Sequence, residues 1–261
     1  MREKIHLSVV SHGQGHLVHK LLEDLKSINV ADTLHVTLTL NIDEILPFTP
    51  ISFPFPIEVT INSVPKGFGA NHNAAFIRNQ KDSAFFCIVN PDIRLNHNPF
   101  PALLACIENL NIGLAAPVVV GEDGEIEDSA RRFPTPFKIL CKAFGLCKGP
   151  DYVVRNERIF PDWVGGMFML FTREVFEELN GFNERYFLYY EDVDLCARLR
   201  LLGYELVLCP TAKVVHNAQR SSHKNLKYLK WHFTSMLRFF CSKIFLQIIL
   251  RRFRTIFVKG G

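Results

Sequence analysis

Three carboxylates, Glu191, Asp192 and Asp194, follow directly on the apolar and aromatic run Phe187-Leu188-Tyr189-Tyr190. Acids are seldom buried without a partner. The stretch therefore either opens a helix or meets something positive or protic in a cleft. An aromatic wall beside a carboxylate excludes water, and burial or a neighbouring negative charge raises its pKa. A carboxylate so placed can take the proton of a hydroxyl nucleophile, a contribution of about 10²–10⁴-fold. The plainer outcome is a helix start, where acids gain about 0.3–1 kcal/mol from the helix dipole. That suffices for Asp194 but leaves the Phe-Leu-Tyr-Tyr run unexplained.

A second acidic position ends "AFFCIVNPDIRL". Pro91 removes a backbone donor, so strand pairing stops there and Asp92 projects from the end of the strand. Asn, Pro and Asp are also turn formers, so a turn and a metal ligand both stand as readings of Asp92. Mg²⁺ takes one or two carboxylates and completes its shell with phosphates and water. A metal at Asp92 therefore makes sense with a diphosphate beside it. In "SVPKGFGANHNAAF" (63–76), Gly67 and Gly69 allow close backbone approach to a ligand. Lys66 can meet phosphate, and a helix N-terminus near Ala70 favours anions. A loop with a solvated lysine is the commoner outcome of such residues.

The elements that must hold these residues alternate along the chain. Strands are expected at 5–10, 34–40, 57–61, 84–89, 112–120 and 163–171, with a last one in "YELVL". Helices are expected at 16–28, where Leu17, Leu21, Leu22 and Leu25 recur at helical spacing. Others are expected at 69–79, at 98–110 with Asn98 as cap and Pro99 at the first helical position, and over "REVFEELN". A further helix starts near Glu191, with Leu195, Leu199 and Leu202 facing the core and Gly203 ending it. This rhythm predicts an α/β domain with a largely parallel sheet, whose ligands bind beyond the carboxyl ends of the strands. With 48% hydrophobic and 21% charged residues, the chain builds a real core rather than remaining disordered. The seven cysteines form no C-x-x-C pair. They read as reduced core residues of a cytosolic protein, against a disulfide framework or a zinc site.

"KGFGANHNAAF", "IVNPDIRL", the long block from "DWVGGMFMLF" through "FLYYEDVDLCARLRLLGYELVLCP", and "VVHNAQRSS" together resemble the inverting family 2 glycosyltransferases. The resemblance is to the rhamnosyltransferase-like branch of bacterial O-antigen and polysaccharide enzymes. It covers most of residues 5–222 and is weakest in the N-terminal third. It implies a GT-A fold, a Rossmann-like nucleotide-binding half merged with an acceptor half. The activity implied is transfer of a sugar, L-rhamnose foremost, from a nucleotide-diphosphate donor to a hydroxyl of a glycan or lipid-linked glycan, with Mg²⁺ or Mn²⁺ as cofactor. By the same resemblance Asp192 falls at the general base, with Glu191 beside it, and Asp92 and His216 at the metal. Lys66, Gly69 and Asn73 line the nucleotide with Asp92, and Trp163, Gly165 and Gly166 lie under the donor sugar and acceptor. Asn41 stands where many relatives carry an Asp that reads the pyrimidine, and His12 is placed in the nucleotide cleft. Two rivals are a sugar nucleotidyltransferase and a catalytically silent nucleotide-sugar-binding protein of the same fold. "SHGQGHLVHK" lacks the arginine that the first would want, and the intact Asp92, Asp192 and His216 argue against the second.

Charge sets the C-terminus apart. After Glu205 there is no acid, and eleven Lys and Arg follow. The tail, 223–261, repeats Leu226, Leu229, Phe233, Met236, Leu237, Phe240, Ile244 and Ile248 at helical spacing. It is either a helix packed on the preceding domain (1–222) or a basic amphipathic helix at a membrane interface. No stretch reaches the roughly 18 apolar residues of a membrane span, and the N-terminus does not read as a signal peptide. The expected partners are the donor, the acceptor and an anionic membrane surface, with no nucleic acid. The expected location is cytoplasmic, peripherally associated with the inner face of the cell membrane.

Overall fold

The computed structural model describes residues 4–78, 83–108, 111–146, 149–217 and 226–259. In chain order the elements are β1 (Ile5–Ser11), α1 (Gly15–Ser27), β2 (Leu34–Leu40), β3 (Ile57–Ile61), α2 (Phe68–Arg78), β4 (Phe85–Val89), β5 (Ile93–Arg94), α3 (Phe100–Ile107), β6 (Ile112–Gly121), β7 (Ala130–Arg131), α4 (Pro136–Ala143), β8 (Trp163–Val164), β9 (Phe168–Thr172), α5 (Arg173–Glu178), α6 (Glu191–Leu202), β10 (Glu205–His216), α7 (Leu226–Phe240) and α8 (Lys243–Lys259). Eight strands form one sheet in the order β3-β2-β1-β4-β9-β6-β10-β5, and β7 pairs with β8 in a separate ribbon.

Period-two alternation builds both faces of the sheet. In β4, Phe85, Cys87 and Val89 join a core with Leu21, Leu22 and Leu25 of α1 and Leu103 of α3. Phe86 and Ile88 point to the other core, with Phe176 of α5 and Leu195 and Leu199 of α6. Four strands, β3, β2, β1 and β4, pair in parallel. β9 then runs antiparallel to both β4 and β6, and β5 antiparallel to β10. The sheet is thus mixed, a correction to the largely parallel sheet expected. The expected strand over 163–171 is two strands, broken at Gly165–Met167, and that break lies at the site described below.

Smaller differences have local causes. Leu202 is exposed rather than core-facing, because α6 ends there at Gly203, whose φ of 99° forms the left-handed cap. α3 begins at Phe100 rather than at Pro99, with Asn98 Oδ1 accepting from the Phe100 N–H at 3.1 Å. Cys106 of α3 and Cys209 of β10 are joined in a disulfide, a correction to the expectation of reduced cysteines throughout. The faces of α3 and β10 that carry them pack together. The tail forms two helices bent by 58°. Phe239 and Ile248 are buried against the second core, with Met236, Phe240 and Ile244 partly buried beside them. No single helix among the described residues is long and apolar enough to cross a membrane, although α7 and the first part of α8 together pass that test by length and composition. Lys224, the end of "VVHNAQRSS" and the 222/223 boundary lie outside the described residues.

Candidate active site

The aromatic run before α6 makes a sharp turn. Tyr189 and Tyr190 both adopt left-handed backbone, with φ of 68° and 66°. Such conformations cost about 1–3 kcal/mol each for residues with a side chain and persist where the surroundings enforce them. Gly67 enforces part of it. A Cβ there would lie 2.7 Å from the Phe187 carbonyl oxygen and 2.9 Å from its Cα, and the Phe68 N–H donates to that same carbonyl at 2.9 Å. The lysine loop and the aromatic turn are thereby joined backbone to backbone.

The turn sends the three carboxylates to different fates. Asp194 is buried and paired with Arg198 one helical turn on, at 2.8 Å. Arg198 also donates to the carbonyls of Leu179 and Gly181, so Asp194 serves the fold. Asp192 is half-buried. Its Oδ1 accepts from the Val193 N–H at 2.8 Å and its Oδ2 from the Gly166 N–H at 3.2 Å. Burial raises its pKa above the ordinary carboxylate value, opposed by those two N–H groups and by the charge of Arg131. Glu191 is only 5% exposed, and its Oε2 has no hydrogen-bond partner. Burial first, and the Asp192 charge second, push it well above the carboxylate range. Burial thus favours the protonated form of Glu191 more strongly, and Asp192 is the one with donors to support a charge. Both line a cavity of about 890 Å³ whose walls include Trp163, Arg131, Tyr189 and His232.

Trp163 and Gly165 reach this cavity through the β7–β8 ribbon. The indole N–H donates to the Arg132 carbonyl at 3.1 Å, and Arg131 lies over the indole ring at 5.4 Å. Gly166 is hemmed in on its other side. A Cβ there would meet the Phe68 ring at 3.2 Å.

Asp92 and His216 come together across the β5–β10 pair, where His216 is opposite Ile93. His216 Nε2 is 3.3 Å from Asp92 Oδ2, and His216 Nδ1 is 2.8 Å from Glu127 Oε2. The hydrogen bond to Asp92, against burial and with help from Glu127, raises His216 to about 9. The residues fit a divalent metal. Asp92 Oδ1 is buried without a hydrogen-bond partner, and an oxygen plus an imidazole whose far nitrogen is fixed by a carboxylate is a usual donor set. A ligating imidazole must be neutral, so a metal would displace that proton. Among the described residues no group of three or more His, Cys, Asp and Glu forms a complete cage, because Glu127 faces the opposite side of the ring. The metal and carboxylate sites share one turn. Asn90 N–H donates to the Met167 carbonyl at 2.9 Å, and the preceding Gly166 donates to Asp192.

At the ends of β1 and β2 the expected nucleotide residues are close together. Asn41 is buried. Its Oδ1 accepts from the Lys66 N–H at 2.8 Å, and its Nδ2 donates to the Lys66 carbonyl at 3.0 Å. The amide of Asn41 thus holds the loop that carries Lys66. His12 Nδ1 lies 3.4 Å from Asn41 Nδ2 and, like Lys66, is exposed. Two other expected residues serve packing. Asn73 bridges the backbone of Phe182 and the carboxylate of Glu184, and a Cβ on Gly69 would lie 2.5 Å from Phe182 Cβ. The structure places these two against the 181–184 turn.

Residues 155–224, from before β8 through His216, match the family model described as the N-terminal domain of galactosyltransferase. Over 92% of its length the chain is 28% identical to rhamnosyltransferase WbbL of Escherichia coli K12, and the match spans 93% of that protein. By these matches the chain is a glycosyltransferase similar to bacterial rhamnosyltransferases. The transferase is also 30% identical over 151 residues to the N-acetylglucosaminyl-diphospho-decaprenol L-rhamnosyltransferase of Mycobacterium tuberculosis, with 53% of the chain matching 48% of that protein. Its fold is GT-A. It superposes on the mannosyltransferase PcManGT of Pyrobaculum calidifontis, solved with GDP-Man and Mn²⁺, with a TM-score of 0.61 at 15% identity, covering 91% of this chain and 65% of that one.

Two residues of the glycosyltransferase site were not singled out by sequence reasoning. Glu127, which fixes His216, stands in "GEDGEIED" just after β6. A run of acids at the carboxyl end of a strand was the available signal. Arg131 carried none, because a single arginine after a turn is invisible in composition.

Proposed function

We propose that this glycosyltransferase works by inversion, moving a sugar from a nucleotide-diphosphate donor to an acceptor hydroxyl with Asp192 as the general base. L-Rhamnose is the favoured sugar, because both rhamnosyltransferases named above resemble the chain. The observation that carries the reading is the pair of sites flanking the Gly165–Met167 turn: a half-buried carboxylate on an open cavity, and Asp92 with His216 across the turn. Asp192 accepts the proton of the attacking hydroxyl, while the Gly166 and Val193 N–H groups hold its oxygens in place. Burial of Glu191 favours its neutral form, while the two N–H donors favour charge on Asp192. Trp163 and the Tyr189 turn wall off water from the reacting face. Asp92 and His216 would hold Mg²⁺ or Mn²⁺, which when bound neutralises the charge that develops on the leaving nucleoside diphosphate. Lys66, on the loop fixed by Asn41, meets the diphosphate from the β1–β2 side, with His12 beside it. Base and leaving group on opposite faces of the anomeric carbon give a single displacement.

The acceptor proposed is a glycan or lipid-linked glycan at the cytoplasmic face of the cell membrane, and the proposed units are a transferase domain over 1–222 and a membrane-facing tail over 223–261. The tail supports this with Leu226, Leu229, Phe233 and Leu237, all exposed on α7, alongside Lys227 and Lys230. Apolar and basic residues so arranged suit an anionic interface. The test is to incubate the full chain and a sugar acceptor with a panel of nucleotide sugars and Mn²⁺, and to follow nucleoside diphosphate release. Release dependent on acceptor, greatest with dTDP-L-rhamnose, is expected; nucleotide-sugar synthesis from a nucleoside triphosphate, or binding without turnover, would refute the reading. Leu229→Glu with Phe233→Glu should abolish co-sedimentation with anionic vesicles, and unchanged sedimentation would remove the membrane role.

A further inference from the structure

Each residue of the strained turn is touched by one face of α7. The Trp231 ring lies against Phe187, with centroids 4.6 Å apart. The Ser235 hydroxyl donates to the Leu188 carbonyl at 2.9 Å. His232 packs edge-on against Tyr189 at 5.2 Å and Tyr190 at 5.5 Å, and Phe239, fully buried, lies 5.7 Å from the Tyr190 ring. Positions 231, 232, 235 and 239 share one side of a helix. Two successive left-handed tyrosines, with no capping side chain at the start of α6, lack local support of their own. Gly67 and Phe68 brace the turn from the donor side, and α7 braces it from the other.

The geometry points to α7 as part of the catalytic apparatus: by gripping Phe187–Tyr190 it aims Asp192 into the cavity, with Ser235 as the positioning residue. This goes beyond a membrane role, since the gripping face is opposite the exposed Phe233 and Leu237. Ser235 is only 3% exposed, although a polar hydroxyl facing a core ordinarily gains nothing over alanine. Among the described residues, its hydroxyl bonds only to the turn. A misplacement of about 1 Å at a reacting group can lower turnover by about 100-fold, so a modest loosening of the turn is visible in kcat.

The inference rests on Asp192 being the base, and the experiment separates the two. Ser235→Ala, Ser235→Thr and Asp192→Asn are made in the full chain and assayed with dTDP-L-rhamnose and Mn²⁺. Turnover against pH, donor affinity by calorimetry and vesicle co-sedimentation are measured for each. Ser235→Ala should lower kcat about tenfold or more and shift the acid limb of its pH profile, with donor affinity and vesicle binding unchanged, while Ser235→Thr restores kcat to within about threefold of wild type. Normal kcat and acid limb in Ser235→Ala, with Asp192→Asn inactive, would overturn this inference alone. A fall in kcat matched by lost donor binding and lower thermal stability would reduce Ser235 to a packing residue and equally overturn it. An active Asp192→Asn would remove the base assignment and the inference with it.

Discussion

Gly67→Ala tests the junction between donor loop and catalytic turn. The added methyl would lie 2.7 Å from the Phe187 carbonyl oxygen, 2.9 Å from its Cα and 3.1 Å from the Tyr186 carbonyl oxygen. All three are backbone atoms, so no rotamer change relieves the contact. Overpacking of this kind costs about 1–3 kcal/mol. Separating the two segments also breaks the 2.9 Å bond from Phe68 N–H to Phe187, worth about 0.5–1.5 kcal/mol. The expected loss is therefore about 1.5–4.5 kcal/mol from these two contributions, read as a lower urea midpoint at unchanged slope. Turnover should fall with it, because the displaced segment carries the turn before Asp192. Gly165→Ala is the control. Its methyl would meet the mobile end of Met167 at 3.3 Å, so it should cost under about 1 kcal/mol. If Gly67→Ala unfolds at the wild-type midpoint and turns over normally, the two segments are not coupled as described.

Asp92→Ala should weaken donor binding about tenfold or more with Mn²⁺ present and change it little in its absence; equal affinity with metal would leave Asp92 as a turn residue. Glu191 supplies a pH signature. The unfolded glutamate titrates near pH 4.3, whereas burial holds Glu191 well above the ordinary value in the folded chain. The folded state then carries the extra proton over that interval, so this contribution is full below about pH 4.3 and is lost as pH rises through the folded pKa. Glu191→Gln cannot ionise, so its unfolding free energy relative to wild type should increase from pH 5 to pH 8. A difference independent of pH would show that Glu191 is ionised in the fold.

Much of this architecture is legible locally. The buried strand "FFCIV", the turn "NPD" after it and α6 from Glu191 to Gly203 each follow from hydrophobic period, a proline and a glycine cap. That Asp194 serves the fold while Asp192 does not was half visible, since helix-start acids need no cleft. The partners were not. Arg198 meets Asp194 within one helix, yet Gly166 reaches Asp192 from 26 residues away, and Glu127 reaches His216 from 89. Such contacts depend on strand order, and the antiparallel insertion of β9 cannot be read from the β-α-β rhythm. The same reason explains Asn73 and Gly69. Their types suit a ligand loop, but the side of α2 that carries them is covered by the 181–184 turn. In the tail, helical spacing showed an apolar stripe without showing its division. Met236, Phe240 and Ile248 pack on the domain, while Leu226, Leu229 and Phe233 remain exposed.

The central claim is that Asp192 takes the proton from the acceptor hydroxyl, and turnover and donor affinity measured side by side in Asp192→Asn test it most directly. Asparagine preserves the size of the side chain and can still accept from the Gly166 N–H, so the donor site should stay intact. A general base acts in the transition state rather than the ground state. Turnover should therefore fall by about 10²-fold or more, with the donor dissociation constant within about twofold of wild type. Retention of more than about a tenth of the activity, far above the loss expected when a base is removed, would contradict the account.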